Sequence, residues 1–334
     1  MPDLSALNDA VQVPALYHST LKGIQNGQLL RNALGLPVPS SGNFAVVYQI
    51  EHQGRKYALR CFIKPAPDQE ERFRHITEHL RHHPCQHFVD FHFYSQGLLV
   101  GGKWQPVMVM EWRDGTPLEA HIVSLLGDFN ALLGLAGQWV DMFDHLRSLE
   151  IAHGDIHPDN VIVADGKLCL IDYDAMYVPS LTGRTLQEAG QRNFQHPQRN
   201  ARHYGPYMDH FPAWVVYYSL ILLSIEPALW TQFQGGDQKL LFTADDFKAP
   251  DHSPLFRHLE RSEIVIFKLV ARNMRAMLAS DLTTAPILGR TVVQAGGLPL
   301  PPQPPLWWLK SQVASSWWRD HVEEKKAESW LRKR

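Results

Sequence analysis

The residues of this chain that could do chemistry are concentrated in one stretch, which runs from His153 to Asn160 and continues at Asp172. Asp155, Asn160 and Asp172 follow one another at intervals of five and twelve residues. An amide oxygen and a carboxylate are ligands that a hard cation such as Mg²⁺ accepts. Asp155, just upstream, is placed to accept or orient the proton of a hydroxyl group. These residue types at this spacing predict phosphoryl transfer from a magnesium-bound nucleotide.

Two short apolar segments between Asn160 and Asp172 are predicted to form a β-hairpin. They cover residues 161–164 and 167–170 and flank an Asp-Gly dipeptide at 165–166, which favours a two-residue turn. A hairpin returns the chain to the end from which it started. We therefore expect Asn160 and Asp172 to lie close enough to share one cation.

This stretch resembles the catalytic loop of the eukaryotic-like Ser/Thr protein kinases of bacteria. Three motifs carry the resemblance: His153-Gly154-Asp155 for His-Arg-Asp, Asn160 for the catalytic-loop Asn, and Asp172-Tyr173-Asp174 for Asp-Phe-Gly. The resemblance implies that Asp155 orients the hydroxyl of a protein substrate and that Asn160 and Asp172 hold Mg²⁺. It also implies a catalytic role for His157, which stands where these kinases have a Lys that steadies the transferring phosphate.

A second set of residues resembles the nucleotide-binding half of the same family. The segment 40–47 is similar to the Gly-rich loop, 57–60 to Val-Ala-Ile-Lys, and 108–112 to the strand that leads into the adenine-binding hinge. The resemblance implies that ATP is bound by Gly42, Phe44, Val47, Ala58, Arg60, Met110, Glu111 and Trp112.

Arg60 is the largest departure from the family pattern, because kinases place a Lys there that contacts the α- and β-phosphates. An arginine keeps the charge and can bind phosphate bidentately, although the two side chains are not interchangeable. Both Glu71 and Glu78 are candidates for its acidic partner. Lys64, four residues later and expected on the same side of the strand, is a second candidate cation.

Further departures concern regulation. Gly154 replaces the Arg that clamps a phosphorylated activation segment in many kinases, so we expect activity without such a phosphate. Residues 194–198 resemble a degenerate Ala-Pro-Glu motif, and Asp209 stands where the family has an Asp that braces the catalytic loop. The resemblance covers residues 36–290.

The fold class implied is α+β, a bilobal protein-kinase-like fold with a small antiparallel-sheet N-lobe and a mainly helical C-lobe. The expected divisions are an N-terminal extension (1–35), an N-lobe (36–112), a C-lobe (113–296) and a Pro/Trp-rich tail (297–334). Periodicity predicts strands at 46–51, 56–63, 88–94 and 106–112, a helix capped by Asp68, a helix at 130–149, and largely helical structure from 209 to 280.

Composition excludes several other classes of function. A net charge of −2 argues against nucleic acid as the main partner. Three scattered cysteines form no disulfide framework, which favours a reducing cytoplasm. The longest apolar stretch, 211–225, is too short to insert into a membrane. The expected partners are a protein substrate and, through the tryptophans of the tail, a regulatory protein, unless the tail docks on the protein itself.

Two alternative functions stay open at this point. Aminoglycoside- and choline-type kinases also use His-Gly-Asp, but the 37 residues from Asp172 to Asp209 leave room for a peptide-binding activation segment, which favours a protein kinase. A pseudokinase scaffold is the other alternative, since several departures touch nucleotide handling: Ser40, Ala45, Arg60, His157 and Asp174. A histidine row at 75, 79 and 83 has zinc-like spacing but is more typical of a solvated helix face.

Overall fold

The computed structural model describes residues 3–21, 23–42, 45–64, 68–186 and 189–301. These residues form two compact units, one of residues 3–77 and 88–113 and the other of residues 78–87 and 114–301. Phe44 and the tryptophans of the tail lie outside the described residues. The chain is a mixed α+β protein.

The first unit is built on an antiparallel sheet. Its elements are α1 (Leu4–Ala10), β1 (Gln28–Leu29), β2 (Ser40–Ser41), β3 (Ala45–His52), β4 (Arg55–Phe62), α2 (Gln69–His82), β5 (Phe91–Val100) and β6 (Lys103–Glu111). The strand order is β1-β3-β4-β6-β5, and β2 also pairs with β3. Residues of α2 from 78 onward belong to the second unit.

The hairpin of β5 and β6 is longer than the sequence predicted. Strands were expected at 88–94 and 106–112, whereas β5 covers Phe91–Val100 and β6 covers Lys103–Glu111. The turn is made by Gly101 and Gly102, whose φ angles of 57° and 75° are both positive. Two consecutive left-handed residues give the tight turn whose twist matches that of the flanking strands. This Gly-Gly signal was missed.

One face of the sheet is covered by the N-terminal segment. The buried apolar residues that form this core are Leu7, Ala10, Val11, Tyr17, Leu21, Ile24, Val46, Tyr48, Ile50, Leu59, Cys61, Leu98, Val100 and Val107. Tyr17 donates its hydroxyl to the Val11 carbonyl over 2.8 Å, which satisfies the polar atom of a buried ring. The segment expected as an N-terminal extension thus shares one core with β3, β4, β5 and β6.

The other face of the sheet carries an aromatic cluster and α2. Phe73 of α2 stacks on Phe93 of β5, with ring centroids 5.1 Å apart, and also approaches Phe62 of β4 at 6.1 Å. Phe73 and Ile76 are buried, as the predicted apolar face of this helix requires, whereas Leu80 is half-buried. These contacts fix the part of α2 that belongs to the first unit.

The second unit is mainly helical. Its elements are β7 (Thr116–Pro117), α3 (Leu118–Ser124), α4 (Phe129–Ser148), β8 (Val161–Ala164), β9 (Lys167–Leu170), α5 (His210–Ile225), α6 (Leu229–Gln232), α7 (Ala244–Lys248), α8 (Pro254–Arg261), α9 (Val265–Ala279) and α10 (Arg290–Ala295). Asp128 caps α4 by accepting the Ala131 amide at 2.9 Å, and this helix matches the predicted one within a residue at each end. The strands β7, β8 and β9 form a small antiparallel sheet in that order.

Helix α5 is apolar on every side and is buried over nearly its whole length. It packs on α4, where Trp139 donates its indole N–H to the Ala213 carbonyl over 3.0 Å. Such all-round burial is typical of a core helix. No helix among the described residues combines the length and apolar character that crossing a membrane requires.

Candidate active site

The hairpin predicted between Asn160 and Asp172 is present. β8 and β9 pair in the register Val161↔Leu170, and the turn is made by Asp165 and Gly166, with φ angles of 51° and 71°. This is the two-residue turn that an Asp-Gly dipeptide favours.

The pairing continues one residue beyond the hairpin strands. The Ile171 amide donates to the Asn160 carbonyl over 2.9 Å. Asp172 follows directly, so Asn160 and Asp172 stand at the same end of the hairpin. The structure therefore brings together the backbones of the two residues for which a shared cation was predicted.

The Asp155 carboxylate is held from both sides. Asn160 donates its amide N–H₂ to the Asp155 carbonyl at 2.9 Å and to Oδ2 at 3.4 Å, and the backbone N–H of Gln191 donates to Oδ1 at 2.9 Å. Burial alone raises the pKa of the Asp155 carboxyl, but the neighbouring His157 imidazole and the Gln191 amide outweigh burial and hold this pKa below its ordinary value. These contacts favour the ionised form of Asp155, whose oxygens can accept a hydrogen bond from a hydroxyl.

His157 lies between two carboxylates. Its Nε2 is 3.6 Å from Asp155 Oδ2 and its Nδ1 is 3.9 Å from Asp159 Oδ2. The ring is largely covered, in part by Phe194, whose centroid is 6.3 Å away. An imidazole in this position can act on the charge of Asp155 as well as on an incoming anion.

Asp209 anchors the loop of residues 153–160, which the sequence predicts to be the catalytic loop. It is 4% exposed, and its two carboxylate oxygens accept the backbone amides of His153 and Gly154, the latter at 2.7 Å. The Arg199 guanidinium donates to the Gly154 carbonyl and to the Met208 carbonyl, each over 3.2 Å. Asp209 therefore does what the sequence predicted for it, and Arg199 is a second anchor of the loop that was not foreseen.

Gly154 is required by its backbone conformation and by its surroundings. Its φ angle is +84°, and a Cβ atom added there would lie 2.4 Å from the Ala175 carbonyl oxygen. A side chain at this position needs both a left-handed backbone and a shift of the neighbouring main chain. The structure therefore disfavours any residue with a side chain at position 154.

Asp172 and Tyr173 sit on a sharply turned backbone. Asp172 has a φ angle of 67°, which a non-glycine residue adopts uncommonly. Tyr173 is fully buried and donates its hydroxyl to the Leu170 carbonyl over 3.0 Å, while its ring meets that of His153 edge-on. The tyrosine thus fills an apolar pocket with its polar atom satisfied.

Asn160 and Asp172 have the donor atoms that a magnesium ion takes. Because the Asn160 amide nitrogen faces Asp155, its carbonyl oxygen is directed away from Asp155. An amide oxygen with a carboxylate makes a hard-oxygen donor pair that suits Mg²⁺, which commonly keeps several waters. Among the described residues, no group of three or more His, Cys, Asp or Glu side chains could hold a metal ion.

In the first unit, several of the residues predicted to bind the nucleotide share one face of the sheet. Arg60 is the cross-strand partner of Val47 and of Met108, and Ala58 is the partner of Met110. Partners in an antiparallel ladder project from the same face, and so do residues two apart on one strand. Val47, Ala58, Arg60 and Met110 therefore line a common surface.

Arg60 is buried, with 6% of its surface exposed, and its guanidinium carbon lies 5.2 Å from the centroid of the Phe62 ring. It is not a solvated arginine on an open sheet. Lys64, expected on the same side of the strand, lies beyond β4, which ends at Phe62, and follows in an exposed bend.

The acidic partner of Arg60 is not decided by the contacts along α2. Glu71 lies 3.8 Å from His75, and Glu78 lies 4.0 Å from Arg81. Both carboxylates are about half exposed. The choice between Glu71 and Glu78 stays as the sequence left it.

The other residues predicted to contact the nucleotide are at strand ends. The Gly42 amide donates to the Ala45 carbonyl over 2.9 Å and closes the loop between β2 and β3. Trp112 follows β6, and its amide donates to the Lys56 carbonyl over 3.0 Å. A surface depression is lined by Arg55, Lys56, Tyr57, Glu111 and Trp112.

The segment between Asp172 and Asp209 belongs to the second unit and is tied to it by hydrogen bonds near both of its ends. Tyr177 forms an antiparallel bridge with Ala152, just before the catalytic loop, and Tyr204 donates its hydroxyl to the Met176 carbonyl over 2.7 Å. The Thr182 hydroxyl is bonded to the Pro179 carbonyl at 2.7 Å. Both ends of the segment are thus held by hydrogen bonds that need no phosphate.

The row of histidines on α2 makes ordinary contacts. His79 Nε2 donates to the Leu149 carbonyl over 2.8 Å, and its ring lies 4.6 Å from that of His83. His75 is beside Glu71. These contacts account for the row without a metal.

No protein-family model matches this chain, and no curated protein matches it significantly.

Proposed function

We propose that this protein is a Ser/Thr protein kinase that transfers a phosphoryl group from Mg-ATP to protein hydroxyls. The observation that supports this most is the arrangement of Asp155, Asn160 and Asp172. Asn160 is hydrogen-bonded to Asp155, Asp172 stands beside Asn160 at the end of the hairpin, and Asp209 anchors the loop. Phosphoryl transfer from Mg-ATP uses a group that orients the attacking hydroxyl and oxygen ligands that hold the magnesium ion. Asp155 is proposed as the first, and Asn160 and Asp172 as the second.

In this proposal each group has a defined task. Asp155, kept ionised, accepts the hydrogen bond of the substrate hydroxyl and aims its oxygen at the phosphorus atom. Asn160 and Asp172 would hold Mg²⁺, which neutralises phosphate charge when it is bound. His157, whose Nε2 lies 3.6 Å from Asp155 Oδ2, is proposed to steady the transferring phosphate.

The fold proposed is the bilobal protein-kinase fold. The antiparallel sheet with its single long helix corresponds to the N-lobe, and the helical unit with the β8–β9 hairpin corresponds to the C-lobe. ATP is proposed to contact the surface of Val47, Ala58, Arg60 and Met110, with Gly42 and Phe44 over the phosphates and Glu111 and Trp112 beside the adenine. Cys61, Cys85 and Cys169 form no disulfide bond, which suits the cytoplasmic location that forms part of the proposal.

A protein substrate is proposed because of the long segment between Asp172 and Asp209. Within it, Gln191 donates to Asp155 and Phe194 lies against His157, so the segment reaches the place where a peptide would present its hydroxyl. Small-molecule kinases usually reach the next structural Asp sooner. A regulatory partner that binds the tryptophan-rich tail completes the set of proposed partners.

The test is phosphate transfer by Asp172→Asn. Asparagine tolerates the left-handed backbone of position 172 better than alanine does, so this change removes the charge with little strain. With labelled ATP and a generic Ser/Thr substrate, we expect activity to fall by about two orders of magnitude or more, because the main carboxylate for Mg²⁺ is lost. Asp245→Asn, on a side chain that is 93% exposed, is the matched control and retains activity. Undiminished transfer by folded Asp172→Asn, checked by circular dichroism, refutes the assignment.

A nucleotide-binding pseudokinase is the second candidate, and the burial of Arg60 favours it. A guanidinium held against the Phe62 ring is less adjustable than an exposed lysine ammonium. A scaffold of this kind gains thermal stability from Mg-ATP but transfers no phosphate. Thermal melting and labelled-ATP transfer on the same preparation therefore separate the two functions.

A further inference from the structure

The activation segment donates a main-chain hydrogen bond to the proposed catalytic carboxylate. The N–H of Gln191 lies 2.9 Å from Asp155 Oδ1, although the two residues are 36 positions apart. Asp155 Oδ2 faces His157 and the Asn160 amide instead. The carboxylate therefore has a different partner on each oxygen, and its rotation about the Cβ–Cγ bond is restricted.

Gly190 allows this approach. Its φ angle is +84°, and a Cβ atom built there would lie 2.7 Å from Asp155 Oδ1 and 2.9 Å from Gln195 Nε2. Cβ atoms essentially never come so close to a neighbour. A residue other than glycine at position 190 would therefore displace the Asp155 carboxylate or the peptide that joins residues 190 and 191. The positive φ angle adds backbone strain for a residue with a side chain.

The donor peptide is itself fixed to the helical unit. Gln191 donates its side-chain amide to the Gln238 carbonyl over 2.9 Å, and Asn193 donates to the same carbonyl over 3.2 Å. Asn193 Oδ1 accepts the backbone amide of Ala244, the first residue of α7, at 2.9 Å. The position of the Gln191 amide is thus set by contacts that do not depend on Asp155.

We propose that the Gly190-Gln191 peptide is a positioning element that sets the orientation of the Asp155 carboxylate for phosphoryl transfer. This inference rests on the proposed kinase function for its catalytic meaning, whereas the contact itself can be tested without any activity. With Oδ1 engaged by the Gln191 amide, the carboxylate plane is fixed relative to the segment, and Oδ2 is presented beside His157.

The contact is tested by hydrogen–deuterium exchange at single-residue resolution. In Asp155→Ala the Gln191 amide loses a charged acceptor, and we expect its exchange to speed up by on the order of tenfold or more. Asp155→Asn keeps an oxygen acceptor and should restore much of the protection. Unchanged exchange of the Gln191 amide in Asp155→Ala overturns the proposal.

The catalytic consequence is tested by Gly190→Ala with Gly183→Ala as the matched control. Gly183 lies in the same segment with a φ angle of +86°, but nothing lies within 4 Å of an added Cβ, so the two changes share the backbone strain and differ in the clash with Asp155. We expect Gly190→Ala to lower kcat about 100-fold with little change in KM for ATP, because a small displacement of a reacting group is costly. Gly183→Ala should keep kcat within about threefold of the parent, since strain alone has a modest effect.

The outcomes separate this proposal from the proposed function. Equal kcat values for the two folded glycine variants overturn the positioning role while phosphate transfer by the parent protein still supports a kinase. Absence of transfer by the parent protein refutes the kinase function, and the exchange experiment then decides alone whether the peptide orients Asp155. If Gly190→Ala fails to fold, the two Asp155 variants decide in the same way.

Discussion

Replacing Asp209 should be among the most destabilising single changes in the helical unit. In Asp209→Ala, the backbone amides of His153 and Gly154 lose their acceptors in a place that water does not reach. A buried donor left unsatisfied costs about 1–3 kcal/mol, so the two amides together cost about 2–6 kcal/mol. The buried Arg199 guanidinium also loses the compensating charge of Asp209. We expect the free energy of unfolding to fall by at least about 3 kcal/mol, a large part of the 5–15 kcal/mol typical of a domain.

Urea denaturation of the variant and of a matched control measures this loss. Asp128→Ala is the control, because Asp128 also accepts a backbone amide, that of Ala131, but at an exposed helix start. Loss of such a cap costs about 1 kcal/mol. If Asp209→Ala loses no more stability than Asp128→Ala, with equal m-values, the reasoning about buried acceptors in the catalytic loop is wrong.

Three further predictions follow from other parts of the structure. Arg60→Ala should weaken Mg-ATP binding by about 1.5–3 kcal/mol and shrink the melting shift that the nucleotide causes, whereas Arg60→Lys should keep part of it; an unchanged shift in Arg60→Ala would exclude a phosphate contact. Replacing Ser180, Thr182 and Thr185 together with alanine should leave phosphate transfer largely intact, and loss of most activity by the folded variant would contradict this. Burial lowers the pKa of His87 from 6.5 to about 4. Between pH 6.5 and about 4 the folded protein therefore binds fewer protons than the unfolded chain. The free energy of unfolding should fall by roughly 3 kcal/mol as the pH drops through this range. Denaturation midpoints of His87→Gln should show a weaker pH dependence over that range, and an identical dependence would be the contrary result.

Local signals made much of the secondary structure predictable. The Asp165-Gly166 turn and the apolar periodicity of α4 each act within a few residues, so the sequence alone places the hairpin and the helix. The hairpin of β5 and β6 is longer than the apolar pattern predicts, because its strands continue up to the Gly101-Gly102 turn.

Only the residues that contact the site through their side chains could be predicted from the sequence. Asp155, Asn160 and Asp209 are such residues, and their residue types indicated them. Gln191 reaches Asp155 through its backbone N–H, which nearly every residue carries, so no residue type announces the contact. Arg199 could not be predicted for the same reason, because it donates to main-chain carbonyls, which every residue carries. Such contacts depend on long-range folding that a sequence pattern does not encode.

The N-terminal segment also shows how tertiary packing overrides a weak local signal. Its helix, α1, has seven residues, too few for an isolated helix to be stable in water. Leu7 is nonetheless fully buried, because the segment is stabilised by the sheet and not by its own propensity.

The N-terminal segment packs on the sheet, and this packing constrains when the first unit can fold during synthesis. Residues 4–24 leave the ribosome before the strands that they cover, and the same core also needs Leu98, Val100 and Val107. Until the chain has been synthesised beyond Val107, the apolar side chains of the segment have no complete surface to pack on. Folding of this unit must therefore wait for about the first third of the chain, and a ribosome-bound nascent chain that stops before β6 should expose those side chains to chaperones.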